Sequence, residues 1–408
     1  MKSKLLLVLF VAVASLLSLQ SQGQTRYQDS IFASYTLDTV TYSTVWGLKM
    51  NVYQPVGDVQ ATRPLIVLAH GGSFISGNRD SDFTITQLCA DFAHKGYVAV
   101  SIDYTLEYNP GNFLNGDSAA REVFQAVSDG KAAVRYFYKD AASTNTYKID
   151  TNNIFIGGNS AGAVLFMQYA YMNDTSKLDS NNFQAIINSV GGLNGNSGND
   201  GYSSNFKAVI NLAGALNEPQ WISYCSAPIV SAQGTADIVV PYTCMDPVVY
   251  GFSVPLELCG LGSLQPYING NVPFSASMVF QGAGHVPWDT SATDFYMIDT
   301  MITNFLYAEV TGTAPSSCGP IPAGVQTINK NTIDMYPNPA NSELNIRSSA
   351  FISHIAMMDE MGRTVSEAKN INSLSYQMNT SNLSSGIYFV SIYNAQGQVP
   401  TVRKVTIE

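Results

Sequence analysis

The sequence predicts an α/β protein, a mostly parallel sheet covered by helices, followed by a small all-β sandwich. Three observations carry that expectation. Short β-branched runs (Leu65 to Ala69, Tyr97 to Ile102, Ile154 to Ile156, Val209 to Leu212, Ile229 to Ala232 and Met278 to Phe280) are separated by helical stretches. The clearest of these stretches is 118–139, where Val123, Val127, Gly130, Val134 and Phe137 recur on one face. Beyond residue 332 the pattern changes to short strands such as Leu344 to Ile346, His354 to Met358 and Ile387 to Ile392, divided by Asn, Ser and Gly.

Taken from the N-terminus, Lys2 and Lys4 precede an apolar run from Leu5 to Leu19, and Ser21 and Gly23 stand at −3 and −1 of a cleavage point. This predicts a secretory signal peptide over residues 1–23. The run is too short and wrongly flanked for a membrane span, no cysteine stands at the cut for a lipid anchor, and no other segment is apolar for long enough to cross a bilayer. The expected mature protein is exported. Losing Lys2 and Lys4 with the leader, and no acid, takes the net charge from −10 to −12. Such an acidic surface argues against nucleic acid or anionic membrane as a partner and fits an extracellular enzyme acting on neutral substrates.

Val40 to Tyr42 and Leu48 to Tyr53 predict an antiparallel starter hairpin. At the far end, Ser291 and Asp294 form a capping box for a helix over 290–309, with Phe295, Ile298, Ile302 and Phe305 at helical spacing. The turn-rich stretch from Thr311 to Pro320 then reads as a linker. The expected organisation is a catalytic domain over 24–310, a linker over 311–332 and a β-sandwich over 333–408. Of the five cysteines, Cys89 shares a helix face with Leu88 and Phe92 and is expected as a buried thiol. Cys225, Cys244, Cys259 and Cys318 allow three disulfide connectivities, and the absence of a C-x-x-C pair or a His/Cys cluster argues against zinc.

The chemistry starts at Gly158-Asn159-Ser160-Ala161-Gly162, directly after the strand at 154–156 and before an alanine-rich helical stretch. Strand, sharp turn and helix are the parts of a nucleophile elbow, and a side chain at either flanking glycine would collide with its neighbours. A serine nucleophile needs a base, an acid to orient the base, and donors for the developing oxyanion. Only four histidines are available. His354 falls in the tail domain, His94 ends a helix and is expected to face water, and His70 precedes two glycines after a strand. His285 remains, in the loop between the last strand and the capped last helix. Asp237 follows the strand Ile229 to Ala232, giving the order Ser160, Asp237, His285. Asp246, in a cysteine-flanked insertion, and Asp289, expected to cap a helix, are its rivals. The oxyanion donors are expected from Ala161 and from the loop His70-Gly71-Gly72-Ser73-Phe74. No metal or organic cofactor is required.

His70-Gly71-Gly72-Ser73-Phe74, Asp103-Tyr104, Gly158 to Gly162, Gly234-Thr235-Ala236-Asp237 and Gly284-His285 occur in the order found in the carboxylesterase and hormone-sensitive-lipase-like α/β-hydrolases, which residues 60–308 therefore resemble. The resemblance implies a serine esterase of that fold. Two departures stand out. Ser73 replaces a third glycine, which leaves Gly71 with Gly72, or Gly72 with Ser73, as the amide pair. Thr105 stands where these enzymes usually carry arginine. The tail, with Tyr336-Pro337-Asn338-Pro339, Gly386 to Val390 and Lys404 to Ile407, resembles the C-terminal sorting domain of the type IX secretion system. That resemblance implies a Bacteroidetes-type protein carried across the outer membrane, the secretion machinery being its partner. A carbohydrate-binding or adhesion sandwich is the other reading of the tail, and Tyr376, Tyr388 and Tyr393 are too few and scattered to favour it.

The expected substrate is a small-molecule or polysaccharide-linked ester, with feruloyl and acetyl esters of plant polysaccharide suggested by the implied source. Residues 188–205 and 242–274 are either lids over the site or surface loops. Trp221 and Trp288 either line an acyl pocket or belong to the core. Two other functions stay open: a serine peptidase of the prolyl-oligopeptidase kind, and a non-catalytic hydrolase-like adhesion module.

Overall fold

The computed structural model describes residues 24–172, 183–315, 333–359, 363–394 and 401–408. The proposed signal peptide, Cys318 and most of the expected linker lie outside them. The chain divides into two compact units between Cys318 and Gly319.

The first unit is built on an eight-stranded sheet. Its strands are β1 (Tyr35–Ser43), β2 (Leu48–Pro55), β3 (Arg63–Ala69), β4 (Val98–Ile102), β5 (Ile149–Asn159), β6 (Ala208–Leu212), β7 (Ile229–Gly234) and β8 (Ser275–Phe280), in the order β1-β2-β4-β3-β5-β6-β7-β8. β1 and β2 pair antiparallel, β2 pairs antiparallel with β4, and every later pairing is parallel. The parallel strands read as unbroken apolar runs because both faces of the sheet are covered. Alternate side chains of β3 show it: Leu65, Val67 and Ala69 enter one core, and Ile66 and Leu68 the other.

The helices over those faces are α1 (Phe83–Lys95), α2 (Gly116–Ala142), α3 (Ala161–Tyr171), α4 (Leu261–Asn271) and α5 (Ala292–Thr311). Each of the long ones begins at a side-chain cap. Asp82 accepts from Ile85 N, Asn115 from Ser118 N and Ser291 from Asp294 N, each satisfying an otherwise orphaned amide. The whole predicted face of α2, from Val123 to Phe137, is buried.

Residues 242–274 contain α4, hidden from the sequence pattern by Pro266 inside it, together with a short hairpin pairing Val248–Val249 with Phe252–Ser253. Residues 188–205 form no lid: they lie along α2, where Ser197 donates to Asp129 at 2.5 Å and Arg135 donates to Asn194 O at 2.5 Å. Of the candidate cysteines, Cys244 and Cys259 form a disulfide, Cys225 is also disulfide-bonded, and Cys89 is a buried free thiol.

The second unit is all β and antiparallel: β9 (Ile333–Tyr336), β10 (Glu343–Met358), β11 (Thr364–Asn379), β12 (Gly386–Asn394) and β13 (Thr401–Ile407). β10 is long enough to pair first with β9 and then with β12, and Ala340 bridges to Ile407. The sheet thereby wraps around its own core of Leu344, Ile346, Ile355, Val390 and Val405.

Candidate active site

The chain leaves β3 for β4 on one side and returns to β5 on the other, so the strand order reverses between β3 and β5. The carboxyl ends of the strands at such a reversal form a crevice. Ala69 pairs with Gly158, so the loop after β3 emerges beside the turn after β5. Phe280 pairs with Gly234, which likewise sets the loops after β7 and β8 side by side.

Ser160 sits at φ 54° and ψ −119°, between β5 and α3, with its amide bonded to Leu212 O at 2.8 Å. Such a conformation is strained for a residue with a side chain. It persists because the surroundings are tight: a Cβ on Gly162 would fall 2.1 Å from Ala69 O, and one on Gly158 2.5 Å from the Gly162 carbonyl carbon. The serine hydroxyl lies 2.7 Å from His285 Nε2, and His285 Nδ1 lies 2.7 Å from Asp237 Oδ2. A carboxylate can only accept there, so Nδ1 carries the proton and Nε2 presents its lone pair to the serine. Asp237 is buried, and its second oxygen accepts from the amides of Val239 and Val240 at 3.0 Å each.

The structure therefore brings Ser160, His285 and Asp237 into one hydrogen-bonded line. The two rival acids are elsewhere. Asp246 is exposed in its loop. Asp289 does not cap α5, a place Ser291 holds; its carboxylate accepts from Thr84 Oγ1 at 2.6 Å and Asn159 Nδ2 at 3.3 Å. Partial burial and the nearby Asp82 charge push the Asp289 carboxyl above the ordinary aspartate range. Among the other histidines, His94 is half-buried rather than facing water, its Nδ1 2.6 Å from Phe32 O. His354 is paired with Glu367 in the second unit. His70 stacks on Tyr104, donates from Nδ1 to Gly71 O, and is kept neutral by burial, which lowers its pKa.

The expected oxyanion loop is narrowed by one bond. The Gly71 amide donates to Asp82 Oδ2 at 2.8 Å, so it is committed to that carboxylate and not to a substrate. Gly72 and Ser73 follow with φ of 122° and 54°, and Ala161 begins α3, where the first amides of a helix lack internal partners. Among the described residues no acceptor is bonded to the amides of Gly72, Ser73 or Ala161.

Asp82 was not named from the sequence, and Asn159 and Trp288 were not given the hydrogen-bonding roles they have here. Asp82 caps α1 and holds Gly71; Asn159 Nδ2 lies between Asp82 and Asp289; Trp288 Nε1 donates to Asn159 Oδ1 at 3.1 Å. The only sequence signal for them was Asp82 at a helix start. Trp288 and Trp221 are both buried and line no acyl pocket, so they belong to the core.

Two spaces meet at Ser160. One is an apolar pocket of about 40 Å³ walled by Phe74, Phe113, Val164, Val254 and Leu256. The other, on the His285 side, is an open cleft of about 610 Å³ lined by Gly72, Ser76, Asp82, Asn159 and Asp289.

Residues 50–218 match the BD-FAE family model, within the sheet just described. The first unit has an α/β-hydrolase fold, and over residues 50–218 it is similar to that family. Residues 334–408, in the second unit, match the secretion system C-terminal sorting domain. Among curated proteins, the hydrolase is similar to acetyl esterases of Salmonella typhi (30% identity over 146 residues, 36% of this chain and 39% of that one) and Salmonella choleraesuis (28% over 163 residues, 40% and 45%). The chain thus spans about two fifths of the length of these relatives. Among solved structures, Thermogutta terrifontis esterase 2 phosphonylated by cyclosarin aligns with a TM-score of 0.47 at 20% identity, covering 69% of this chain and 96% of that one. The propionate-bound form of that esterase gives 0.47 at 19%, covering 72% and 100%.

Proposed function

We propose that this protein is an exported serine carboxylic-ester hydrolase that works through an acyl-enzyme. His285 Nε2 takes the hydroxyl proton of Ser160 as the oxygen attacks the ester carbonyl. Asp237 holds the imidazole in the Nδ1–H tautomer and stabilises the imidazolium that forms. The amides of Gly72, Ser73 and Ala161 face the developing oxyanion, a contribution of typically ~3–4 kcal/mol per well-placed donor. His285 then protonates the leaving alcohol, and water repeats the sequence on the acyl-serine.

The observation that carries this reading is the line Ser160 Oγ, His285, Asp237, joined by two 2.7 Å contacts beside three uncommitted amides. The small apolar pocket favours acetyl over feruloyl as the acyl group, in keeping with the acetyl esterases this chain is similar to. The open polar cleft leaves room for a large hydroxylated alcohol such as a polysaccharide unit. The C-terminal domain is the handle for the type IX secretion machinery.

The test is hydrolysis of p-nitrophenyl acetate by wild type and Ser160→Ala, with labelling of the wild type by a small organophosphonate. Mutation should reduce kcat by ~10⁴-fold or more, and the label should sit on Ser160. Undiminished turnover in the mutant would sink the assignment.

A further inference from the structure

The acyl-side pocket is built from two kinds of wall. Phe74, Phe113 and Val164 belong to the body of the hydrolase. The remaining wall includes Pro247, Val249, Val254, Leu256 and Leu258, all from one segment that the Cys244–Cys259 disulfide closes into a ring.

That segment is tied at several points. Met245 and Leu258 exchange backbone hydrogen bonds at 3.1 Å each, just inside the disulfide. Cys259 exchanges bonds with Leu216, beyond the end of β6, at 2.7 and 3.1 Å. Val248 N donates to Ile238 O at 2.9 Å, which joins the segment to the loop carrying Asp237. Asn217 Nδ2 donates to Glu257 O at 2.8 Å. Its tip, Tyr250 and Phe252, is exposed, while Val254, Leu256 and Leu258 turn inward.

We propose that this disulfide-closed segment, residues 244–259, is a gauge that limits the length of the acyl chain the enzyme accepts. The proposal rests on the acyl-enzyme reading above. At about 40 Å³ the pocket is small beside the cleft of about 610 Å³, so it has room for a short acyl chain only. Acetyl and propionyl chains fit; hexanoyl and octanoyl chains meet the wall. Pro247, Val249 and Val254 do not give way by side-chain rotation, because valine is restricted at χ1 and proline is a closed ring. The wall does not give way as a backbone either, because both ends of the segment are pinned by the disulfide and the bonds to Leu216 and Ile238. An apolar lining with no charged group also rejects an ionised acyl chain.

The experiment measures kcat/KM on p-nitrophenyl acetate, butyrate, hexanoate and octanoate. It uses the full-length wild type, Leu256→Ala and Cys244→Ser/Cys259→Ser, each checked for folding by circular dichroism. A misplaced methylene is worth ~10–200-fold in specificity, so wild type should favour acetate over octanoate by more than about 100-fold. Both variants should shrink that ratio about tenfold or more. If the double cysteine variant does not fold, Leu256→Ala, with its disulfide intact, decides. The gauge is overturned if wild type turns over octanoate as well as acetate, or if the folded variants keep the wild-type ratio. In either case acetate hydrolysis that Ser160→Ala abolishes would leave the esterase reading standing. Wild type that hydrolyses no ester and takes no phosphonate label would overturn both.

Discussion

At the residue scale, the buried Asp237 and the half-buried Asp82 are two carboxylates with different tasks. Asp237 accepts the His285 proton and two loop amides, so it fixes a tautomer. Replacing it by asparagine places an amide against Nδ1 and selects the wrong tautomer. We expect Asp237→Asn to lower kcat by ~10⁴-fold with little change in KM, read from ester kinetics. Asp82 holds the Gly71 amide of the proposed oxyanion loop and, through Asn159, the residue before Ser160. Asp82→Asn replaces one of its two accepting oxygens, so kcat should fall ~10–100-fold while KM moves less. A change confined to thermal stability, with kcat intact, would assign Asp82 to the α1 cap alone.

At the element scale, the strand–turn–helix junction tolerates almost no added volume. The backbone of β3 lies where a methyl group on Gly162 would go. Gly162→Ala must therefore push α3 off the sheet, which is expected to cost ~3 kcal/mol or more and to abolish turnover, as measured by urea unfolding and ester hydrolysis. The sequence marked this junction well, because the collision argument needs only the two glycines and their neighbours. It marked α4 poorly, since Pro266 reads as a helix breaker and its cost is offset only by contacts from distant parts of the chain. It left residues 188–205 open between a lid and a surface loop. Five glycines there suggest freedom, but Ser197, Leu193 and Asn194 are tied to Asp129, Lys131 and Arg135 of α2.

At the scale of the whole molecule, Asp129 joins three parts of the first unit. Its buried carboxylate accepts from Thr105 N, Gln125 and Ser197. Burial raises its pKa above the unfolded value despite those bonds. A raised folded pKa contributes stability that is fully present below the unfolded pKa and lost as pH rises through the folded pKa. The stability advantage of wild type over Asp129→Asn should therefore be largest in acid and shrink as pH rises; urea titrations across that range check the slope. The second unit has its own core, so cutting the chain after Cys318 should leave kcat/KM within about twofold of the full-length value.

The sequence by itself determined the α/β class, the all-β tail, and the names Ser160, Asp237 and His285. Strand periodicity, turn glycines and chain order are local signals, and each can be read within a window of about twenty residues. Only the tertiary structure decided which neighbours those residues meet. It committed the Gly71 amide to Asp82, placed Asp289 under Asn159 instead of at a helix cap, put both tryptophans in the core and set residues 247–258 against the acyl pocket. Apart from Gly71 and Asp82, eleven residues apart, the partners in those contacts are far apart in sequence, and packing helices on both faces of the sheet chooses among them where no local pattern can.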